Sequence, residues 1–275
     1  MPELPEVETI ANGLLQGGAG TPSILGMRIE RAHLLWERTL AYPSPIDFKE
    51  RIAGQTIAEI GRRGKFLLLH LSQDTLLIHL RMSGDIFVKP ADAPVQPHDR
   101  LVLDLDQGWK LAFNDTRKFG RVWLTCNPQE VTSDLGPEPL DPALTAEMLH
   151  SLLISRRRQL KPLLLDQTFL AGLGNIYTDE ALFLSRLHPN TSSDCLTQLQ
   201  AENLLANIRQ VLKEGIRHHG ASIDWVYRGG DFQNYFRVYG RKGEPCPVCG
   251  TPIERILVGQ RSTHFCPSCQ KETRR

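Results

Sequence analysis

The chain begins Met1-Pro2-Glu3-Leu4-Pro5-Glu6, which places a proline directly after the initiator methionine and two carboxylates close behind it. Removal of Met1 is expected because the next residue is small, and it would leave Pro2 as a secondary amine. Such an amine can add to an aldehyde-like carbon and form an iminium ion, as catalytic lysines and N-terminal nucleophiles do. A proline and acidic residues in the first turn of a helix explain the same pattern without chemistry. The opening alone leaves both interpretations open.

Four cysteines near the end of the chain are spaced as a structural metal site. Cys246 and Cys249 form one Cys-x2-Cys pair, Cys266 and Cys269 form another, and sixteen residues separate the pairs. Two thiolate pairs joined by a hairpin close a tetrahedral shell around one Zn²⁺ and leave no open position. Two redox dithiols are the alternative, which the absence of a βαβ pattern around either pair disfavours.

Two turns have residues that suit contacts with phosphate. The segments 254–258 and 261–265 predict a hairpin between the cysteine pairs, so Arg261 lies at its tip, where a guanidinium either reaches phosphate or is simply exposed. Gly172-Leu173-Gly174 predicts a tight turn after which Asn175 caps a helix, and a helix N-terminus is a ready phosphate site. A plain turn between two helices explains the second pattern equally well.

Met82, Arg117 and Phe119 have the composition of a wedge. Each lies in or beside a predicted turn, and apolar side chains with an arginine can fill a gap in a base stack. Each residue is as readily explained by the core or the surface. Locally basic segments would add phosphate contacts, at 62–65, 117–121 and 156–161.

The bulk composition is that of an ordinary folded protein without a global basic field. Of the 275 residues, 41 % are hydrophobic and 23 % are charged, and the net charge is +1. Residues 237–275 nevertheless carry eight Lys/Arg against three Asp/Glu, an excess of five. No apolar run is long enough to cross a bilayer, and no basic segment precedes an apolar one at the N-terminus. We therefore expect a cytoplasmic protein without membrane contact.

The remaining patterns predict the elements that position these groups. A helix is expected from Pro5 to Gly17-Gly18, and short apolar runs then predict a β-sandwich or barrel. Its two clearest hairpins are 65–71 with 75–80 and 101–105 with 109–113. After a linker marked by Asn127-Pro128 and Gly136-Pro137, we predict helices over 142–154, 161–167, 175–186 and 197–218, with Asp141-Pro142 as the cap and first position of the first of them.

The fold class predicted is therefore α+β with several domains. An N-terminal β-sandwich with a preceding helix would occupy residues 1–128. Residues 129–236 would hold the linker, the helices and a loop over 221–236, and residues 237–275 a four-cysteine zinc finger hairpin.

Taken in order, these segments resemble the formamidopyrimidine-DNA glycosylases over nearly the whole chain. The matching motifs are Pro2 to Glu8, Gly61 to Lys65, His79 followed by Met82, Asn114 to Gly120, Lys161 to Gln167, Gly172 to Tyr177, Tyr239 to Arg241 and Gly259 to Cys266. The resemblance implies a base excision repair enzyme with two lobes and a helix–two-turns–helix motif. It would excise ring-opened formamidopyrimidines and 8-oxoguanine, then nick the strand by β,δ-elimination.

The resemblance also implies roles for individual residues. Pro2 would attack the anomeric carbon, Glu3 would donate a proton to the opening sugar ring, and Glu6 would orient groups nearby. Lys65 would contact phosphate and assist elimination, and Arg261 would grip phosphate during δ-elimination. An α-amine with a pKa near 8 is roughly a tenth free base at neutral pH, against less than about a thousandth for a lysine, which favours Pro2 as the nucleophile.

Further residues match DNA contacts of the family: His79, Met82, His98, Arg117, Phe119, Arg157 and Asn175. Met82, Arg117 and Phe119 would fill the space of the flipped nucleotide, with Arg117 facing the orphan cytosine. The implied partner is double-stranded DNA with oxidised bases or abasic sites, bound by a monomer with one structural Zn²⁺ in the bacterial cytoplasm, at the nucleoid.

Two departures from the family pattern bear on specificity. Arg81 stands where many relatives have glycine before the methionine. The segment from Gly220 to Tyr239 is shorter than the lesion-capping loop of better-known members, so recognition of 8-oxoguanine through it does not follow from the resemblance.

Two other functions stay open at this point. An endonuclease VIII-like enzyme would act on oxidised pyrimidines, although Leu4, Met82 and the Arg117–Phe119 pair favour the purine branch. A non-catalytic zinc protein would bind DNA without using Pro2, Glu3 or Lys65.

Overall fold

A computed structural model describes residues 1–18, 20–222 and 229–272 of the chain. Its contacts divide it into two compact units. The first comprises Met1–Ser133 and His219–Gly230, and the second comprises Asp134–His218 and Asp231–Arg275. The predicted division into three domains at 128 and 236 stays a prediction.

The first unit opens with helix α1, Leu4–Gln16. Apolar residues at helical spacing, Leu4, Val7, Ile10 and Leu14, are all buried, which is the amphipathic pattern that predicted the helix. Glu3 is the N-cap residue and forms a capping box with Glu6. The same two carboxylates that could do chemistry therefore also fix where the helix begins.

Two sheets follow α1 and share one apolar core. One sheet has the order β1 (Ile29–Leu34), β7 (Asp99–Leu105), β8 (Trp109–Asp115), β6 (Gly84–Pro90), and the other has the order β2 (Leu40–Tyr42), β9 (Arg121–Thr125), β5 (Thr75–His79), β4 (Phe66–Leu71), β3 (Ile57–Arg63). Side chains of both sheets enter the same buried cluster, including Leu67 and Leu69 of one and Leu101 and Leu103 of the other, which confirms the predicted sandwich.

Both predicted hairpins of the sandwich are confirmed, but a helix between β2 and β3 was missed. Helix α2, Pro45–Ile52, is capped by Ser44, whose Oγ accepts from the Asp47 N–H at 3.2 Å. Ser44 followed by Pro45 at the first helical position is a start signal that could have revealed it. The short helix α3, Gln129–Thr132, lies in the predicted linker.

The second unit is helical and ends in the predicted hairpin. Its helices are α4 Ala146–Ile154, α5 Leu160–Leu165, α6 Asn175–Leu184 and α7 Gln198–Arg217, and its strands are β10 Glu254–Val258 and β11 Arg261–Phe265. In the two-residue turn of the hairpin, Gly259 and Gln260 have φ of 55° and 61°. Positive φ at both positions matches the right-handed twist of paired strands.

The predicted helix start at Asp141-Pro142 is wrong. Helix α4 begins at Ala146, and its N-cap is Thr145, whose Oγ1 accepts from the Met148 N–H at 3.2 Å. Asp141 instead accepts from the Ala143 N–H at 2.8 Å and closes a separate turn. Asp before Pro is a signal shared by turns and helix starts, and here the turn is the outcome.

The predicted loop over 221–236 falls partly outside the described residues, which omit 223–228. In its described part, Phe232–Tyr235 form a single 3₁₀ turn. Among the residues described, none of the helices has the length and apolarity needed to span a bilayer.

Candidate active site and metal centre

The N-terminal residues that could act as nucleophile and acid are held in buried positions. Pro2 is buried, and Glu3 is 3 % exposed. The Glu3 N–H donates to Glu6 Oε2 at 2.7 Å, so the backbone beside Pro2 is fixed by a side chain from the next turn. In the chain with Met1 attached, the Pro2 nitrogen is an amide, and nucleophilic chemistry requires that Met1 be removed.

Glu6 also binds a distant part of the first unit. Its Oε1 accepts from the Ala221 N–H at 2.8 Å, and the side chain is 2 % exposed. Gly220 has a φ of +81°, and a Cβ there would lie 2.8 Å from Glu6 Oε1. The Glu6 carboxylate therefore joins the start of α1 to the segment after α7, a role that sequence reasoning did not assign to Ala221 or Gly220.

Ser222 and Gly230, which lie next to this contact, are hydrogen-bonded to each other. Ser222 Oγ donates to the Gly230 carbonyl at 2.8 Å and accepts from the Gly230 N–H at 3.0 Å. A Cβ on Gly230 would lie 2.1 Å from the Gly220 carbonyl oxygen, so only glycine permits this approach. The predicted shortening of the lesion-capping loop concerns residues of which 223–228 lie outside the described part.

Lys65 and His79 lie at the same end of one strand pair. Lys65 is 4 % exposed and follows Gly64, and the next residue, Phe66, pairs in register with His79 across β4 and β5. The ring of Phe66 meets the His79 ring edge-on at 4.7 Å. Burial, with the charges of Arg81 and Lys65, lowers the pKa of His79 to about 3, so the imidazole is neutral at pH 7.

The tautomer of His79 follows from its backbone contact. The Arg81 N–H lies 3.0 Å from His79 Nδ1 and can only donate, so Nδ1 is the acceptor. The proton of the neutral ring is then on Nε2, which leaves an N–H donor of the kind that a phosphate oxygen accepts. Arg81 itself has a φ of 53°, a left-handed conformation that explains why glycine suits this position.

The residues of the predicted wedge lie in two turns of the first unit. Met82 is half-buried, Arg117 is exposed and Phe119 is 50 % exposed. The Arg117 guanidinium carbon lies 5.0 Å from the centre of the Phe119 ring, within cation–π range. His98 is exposed too, and Arg100 Nη2 lies 3.3 Å from its Nδ1.

The second unit carries the remaining predicted contacts. Arg157 is exposed in the segment between α4 and α5, and Arg261 is exposed at the hairpin tip. The prediction that Asn175 caps α6 is wrong, because the N-cap is Gly174 and no side chain caps the helix. Asn175 Nδ2 donates instead to the Ser262 carbonyl at 3.0 Å, and its buried Oδ1 has no hydrogen-bond partner within the described residues.

A buried ion pair holds the zinc finger hairpin against the helices. Lys161 Nζ donates to Asp179 Oδ1 at 2.5 Å and to the Ser262 carbonyl at 2.9 Å, and both charged side chains are at most 1 % exposed. Asp179 Oδ2 accepts from the His264 N–H at 2.9 Å. These contacts fix the strand that begins with Arg261, and sequence reasoning had named Lys161 only as part of a motif.

The four cysteines of the second unit form a cluster whose dimensions fit one tetrahedral metal ion. Their sulfur atoms all lie within 4.8 Å of one another, and the closest pairs are 3.5 to 3.9 Å apart. Zn–S bonds of about 2.3 Å at tetrahedral angles require S···S distances of roughly 3.8 Å. The Val248 and Cys269 N–H groups each point to a cysteine sulfur at 3.4 Å, as expected around thiolate ligands.

Comparison with known families finds matches to three successive segments of the chain. The formamidopyrimidine-DNA glycosylase N-terminal domain matches residues 1–122, the H2TH domain of the same glycosylases matches 135–226, and a zinc finger found in FPG and IleRS matches 243–271. A formamidopyrimidine-DNA glycosylase of Chloroflexus aurantiacus is 48 % identical over 98 % of both chains. The chain belongs to the formamidopyrimidine-DNA glycosylase family and is a DNA glycosylase of DNA repair.

Solved structures of this family have the same fold. The Lactococcus lactis enzyme in complex with DNA containing FAPY-dG has a TM-score of 0.89 and 35 % identity, covering 98 % of this chain and 100 % of that one. A MutM structure with DNA containing carbocyclic 8-oxo-G has a TM-score of 0.90, 35 % identity and the same coverage.

Proposed function

We propose that this protein is a bifunctional glycosylase and abasic-site lyase that removes oxidised purines from double-stranded DNA. The observation that carries the proposal is the fixed position of Pro2-Glu3 at the start of α1. The Glu6 carboxylate accepts from the Glu3 N–H at 2.7 Å and so holds the backbone beside Pro2 in one position, as a nucleophile at this site would require. Relatives crystallised with FAPY-dG and 8-oxo-G DNA support the choice of lesion.

The proposed reaction begins once Met1 is removed. The Pro2 nitrogen adds to the anomeric carbon of the damaged nucleotide, the bond from that carbon to the base breaks, and the base leaves with the bonding electron pair. Glu3 delivers a proton to the ring oxygen as the sugar opens to an iminium ion. Loss of the proton on the neighbouring carbon then expels the 3′ phosphate, and a second elimination expels the 5′ phosphate.

Lys65, His79 and Arg261 would bind phosphate groups of the damaged strand. Lys65 and Arg261 offer positive charge, whereas His79 offers a neutral N–H because its pKa is lowered to about 3. Lys65 would also assist β-elimination, because its positive charge stabilises the phosphate that leaves, while the released proton passes to water. His98, Arg117, Arg157 and Asn175 are proposed as further DNA contacts.

The metal of the cysteine cluster is proposed to be a single structural Zn²⁺. Four thiolates in a closed shell are the ligand set that zinc prefers, and they leave no position for substrate. The ion would stabilise the hairpin that carries Arg261. A monomer in the bacterial cytoplasm, acting on nucleoid DNA, stays part of the proposal.

Trapping with borohydride tests the covalent mechanism. Reduction of the iminium should join the protein to DNA that contains ring-opened guanine, and Pro2→Gly should abolish the adduct. Glu3→Gln should slow base excision while affinity for an abasic analogue is retained. Tight binding without any adduct would instead indicate a non-catalytic DNA-binding protein.

Substrate choice tests the lesion class separately. Duplexes carrying ring-opened guanine, 8-oxoguanine or thymine glycol are compared at equal enzyme concentration. Cleavage of the purine lesions is expected. Cleavage of thymine glycol alone would assign the protein to the endonuclease VIII-like alternative.

A further inference from the structure

The two turns that carry the predicted wedge residues are adjacent and similarly built. One runs from Leu80 to Gly84 and the other from Asp115 to Gly120, and Gly84 pairs in register with Asp115 across β6 and β8. Each turn contains a basic residue in the left-handed conformation, Arg81 with a φ of 53° and Lys118 with a φ of 59°. The pairing places Ser83, directly after Met82, beside the start of the other turn.

The carboxylate of Asp115 connects the two turns. It accepts from Ser83 Oγ in the first turn, and in the second from the Arg117 N–H at 3.1 Å and the Gly120 N–H at 2.7 Å. Ser83 Oγ itself accepts from the Arg117 N–H at 3.1 Å. Asp115 is 1 % exposed, so these hydrogen bonds to a charged group form away from water, where they are strongest.

The ring of Phe113 fills the space beneath both turns. A Cβ on Gly84 would lie 2.8 Å from this ring, and a Cβ on Gly120 would lie 2.3 Å from it. A Cβ on Gly84 would also lie 2.5 Å from the Leu80 carbonyl oxygen, so each turn ends where the backbone lies too close to its neighbours for a side chain. Packing and hydrogen bonding together leave the two turns little freedom to separate.

Asp115 also connects to a third predicted DNA contact. Arg100 Nε donates to the Asp115 carbonyl at 2.7 Å, and Arg100 Nη2 lies 3.3 Å from His98 Nδ1. Arg100 is itself buried. The backbone and side chain of Asp115 thus contact all the elements that carry Met82, His98, Arg117 and Phe119.

We propose that Asp115 is the positioning residue that holds Met82 in register with Arg117 and Phe119, so that the three side chains open a base pair as one rigid wedge. The proposal rests on the proposed function, since it assumes that a damaged base is flipped. Unstacking costs a few kcal/mol, and side chains that are already held together enter the stack without the further cost of ordering each one. A loosened wedge would bind duplex DNA but open it poorly.

Two variants test the proposal at different strengths. Asp115→Asn keeps the shape but replaces one acceptor oxygen with a donor that faces an N–H or O–H group. Ser83→Ala removes only the hydroxyl that joins the turns, and it keeps the proposal testable if Asp115→Asn does not fold. In both, we expect single-turnover excision from a lesion duplex to fall by about tenfold or more, the size of losing a hydrogen bond to a charged group.

The readout that separates positioning from general damage is a substrate that needs no opening. Nicking of a single-stranded abasic oligonucleotide should be unchanged in both variants. In the lesion duplex, 2-aminopurine placed next to the lesion should lose most of the fluorescence rise that marks base opening by the parent enzyme. Equal loss on both substrates, or full opening of the duplex by both variants, would overturn the proposal.

Asp74→Asn is the matched control. Asp74 is a buried carboxylate of the same sandwich that accepts from Arg51 and Gln55, and it makes none of the hydrogen bonds of either wedge turn. Its variant should open and cut the duplex like the parent. If Asp74→Asn loses duplex opening to the same extent as Asp115→Asn, the effect is not specific to the wedge and the proposal fails. Failure of the parent enzyme to form a borohydride adduct would refute the proposed function instead.

Discussion

The two units of this glycosylase position their functional groups in different ways. In the first unit, buried carboxylates bind backbone N–H groups, as Glu6 does at Glu3 and Ala221, and as Asp115 does at Arg117 and Gly120. In the second unit, a cysteine cluster and the Lys161–Asp179 ion pair hold a short hairpin. The first arrangement positions side chains on a sandwich that is already stable, whereas the second stabilises the element itself.

The size of the local core explains this difference. Among the described residues around the hairpin, a small apolar cluster consists of Phe183 of α6 with Val238, Cys246, Ile253 and Cys266, and the hairpin itself buries Val258 and Phe265. So few buried residues cannot offset the entropy of ordering the segment, and a metal usually supplies the remainder. The sandwich has a large core of its own, so loss of one carboxylate there should change activity more than folding.

The largest expected effect is on the metal. Removing the ion with a chelator, or introducing Cys249→Ser, should reduce the folding free energy of the hairpin by on the order of 10 kcal/mol. Hydrogen exchange should then become fast over 254–265 and stay slow in β4 and β5. Cys195→Ser, which changes a cysteine outside the cluster, is the control. Protection of the hairpin amides in metal-free protein would contradict the inference that the hairpin, unlike the sandwich, depends on the metal for its stability.

The next effect concerns the buried ion pair. Asp179→Asn removes the buried carboxylate to which Lys161 Nζ donates at 2.5 Å, which should cost about 3–5 kcal/mol in the free energy of unfolding. Urea denaturation measures the loss. The exposed pair of Arg158 and Asp166 provides the control, because Arg158→Ala should cost about 1 kcal/mol or less. Equal effects would mean that burial does not set the strength of these pairs.

The third prediction concerns Glu6. An amide at this position can accept at one atom only, so Glu6→Gln loses its hydrogen bond to Glu3 or to Ala221. Loss of a hydrogen bond to a charged group should reduce the free energy that holds Glu3 in position by about 1.5–3 kcal/mol. Single-turnover excision should slow by roughly 10- to 100-fold, while binding of an abasic analogue stays close to that of the parent. Glu8→Gln, which changes a partly exposed carboxylate on the same helix, should leave the excision rate and the affinity for the abasic analogue unchanged.

The pH dependence of stability tests the environment of His79. Its pKa is about 3 in the folded protein, against an ordinary value of 6.5, so between these values the unfolded chain binds a proton that the folded one does not. Stability should therefore fall as pH decreases from about 6.5 towards 3, by at most about 1.4 kcal/mol per pH unit from this group. His79→Gln should flatten that part of the profile. An equally steep profile in the variant would exclude His79 as the source.

The smallest effect is expected at Arg81. Its φ of 53° costs a side-chain-bearing residue about 1–2 kcal/mol, so Arg81→Gly should be neutral or stabilising by about 1 kcal/mol. Removing the charge should also raise the pKa of His79, which NMR titration would show. A clear loss of stability would mean that Arg81 makes contacts that outweigh its backbone strain.

Sequence reasoning reached the parts of this structure that depend on short-range patterns. The helical spacing of apolar residues predicted α1, and the cysteine spacing predicted the metal cluster. The strand segments on either side of Gly259-Gln260 predicted the hairpin. The capping predictions at Asp141 and Asn175 were wrong because the same residue types also form turns and long-range hydrogen bonds.

The hydrogen bonds that position the site join residues that are too far apart in the sequence for such patterns to predict. Glu6 and Ala221 are 215 positions apart, and Ser83 and Arg117 are 34 apart. Nothing local in the sequence marks Ala221 as a donor or Asp115 as the residue that joins two turns. Such pairs become visible only when the fold brings their backbones together.

The central claim is that the Pro2 nitrogen becomes covalently bonded to the deoxyribose of the damaged nucleotide. Digestion of the borohydride-trapped complex, followed by mass spectrometry of the peptides, locates that bond directly. We expect a modified peptide that begins at Pro2, without Met1. A sugar remnant on Lys65, or an adduct formed by protein that retains Met1, would contradict it.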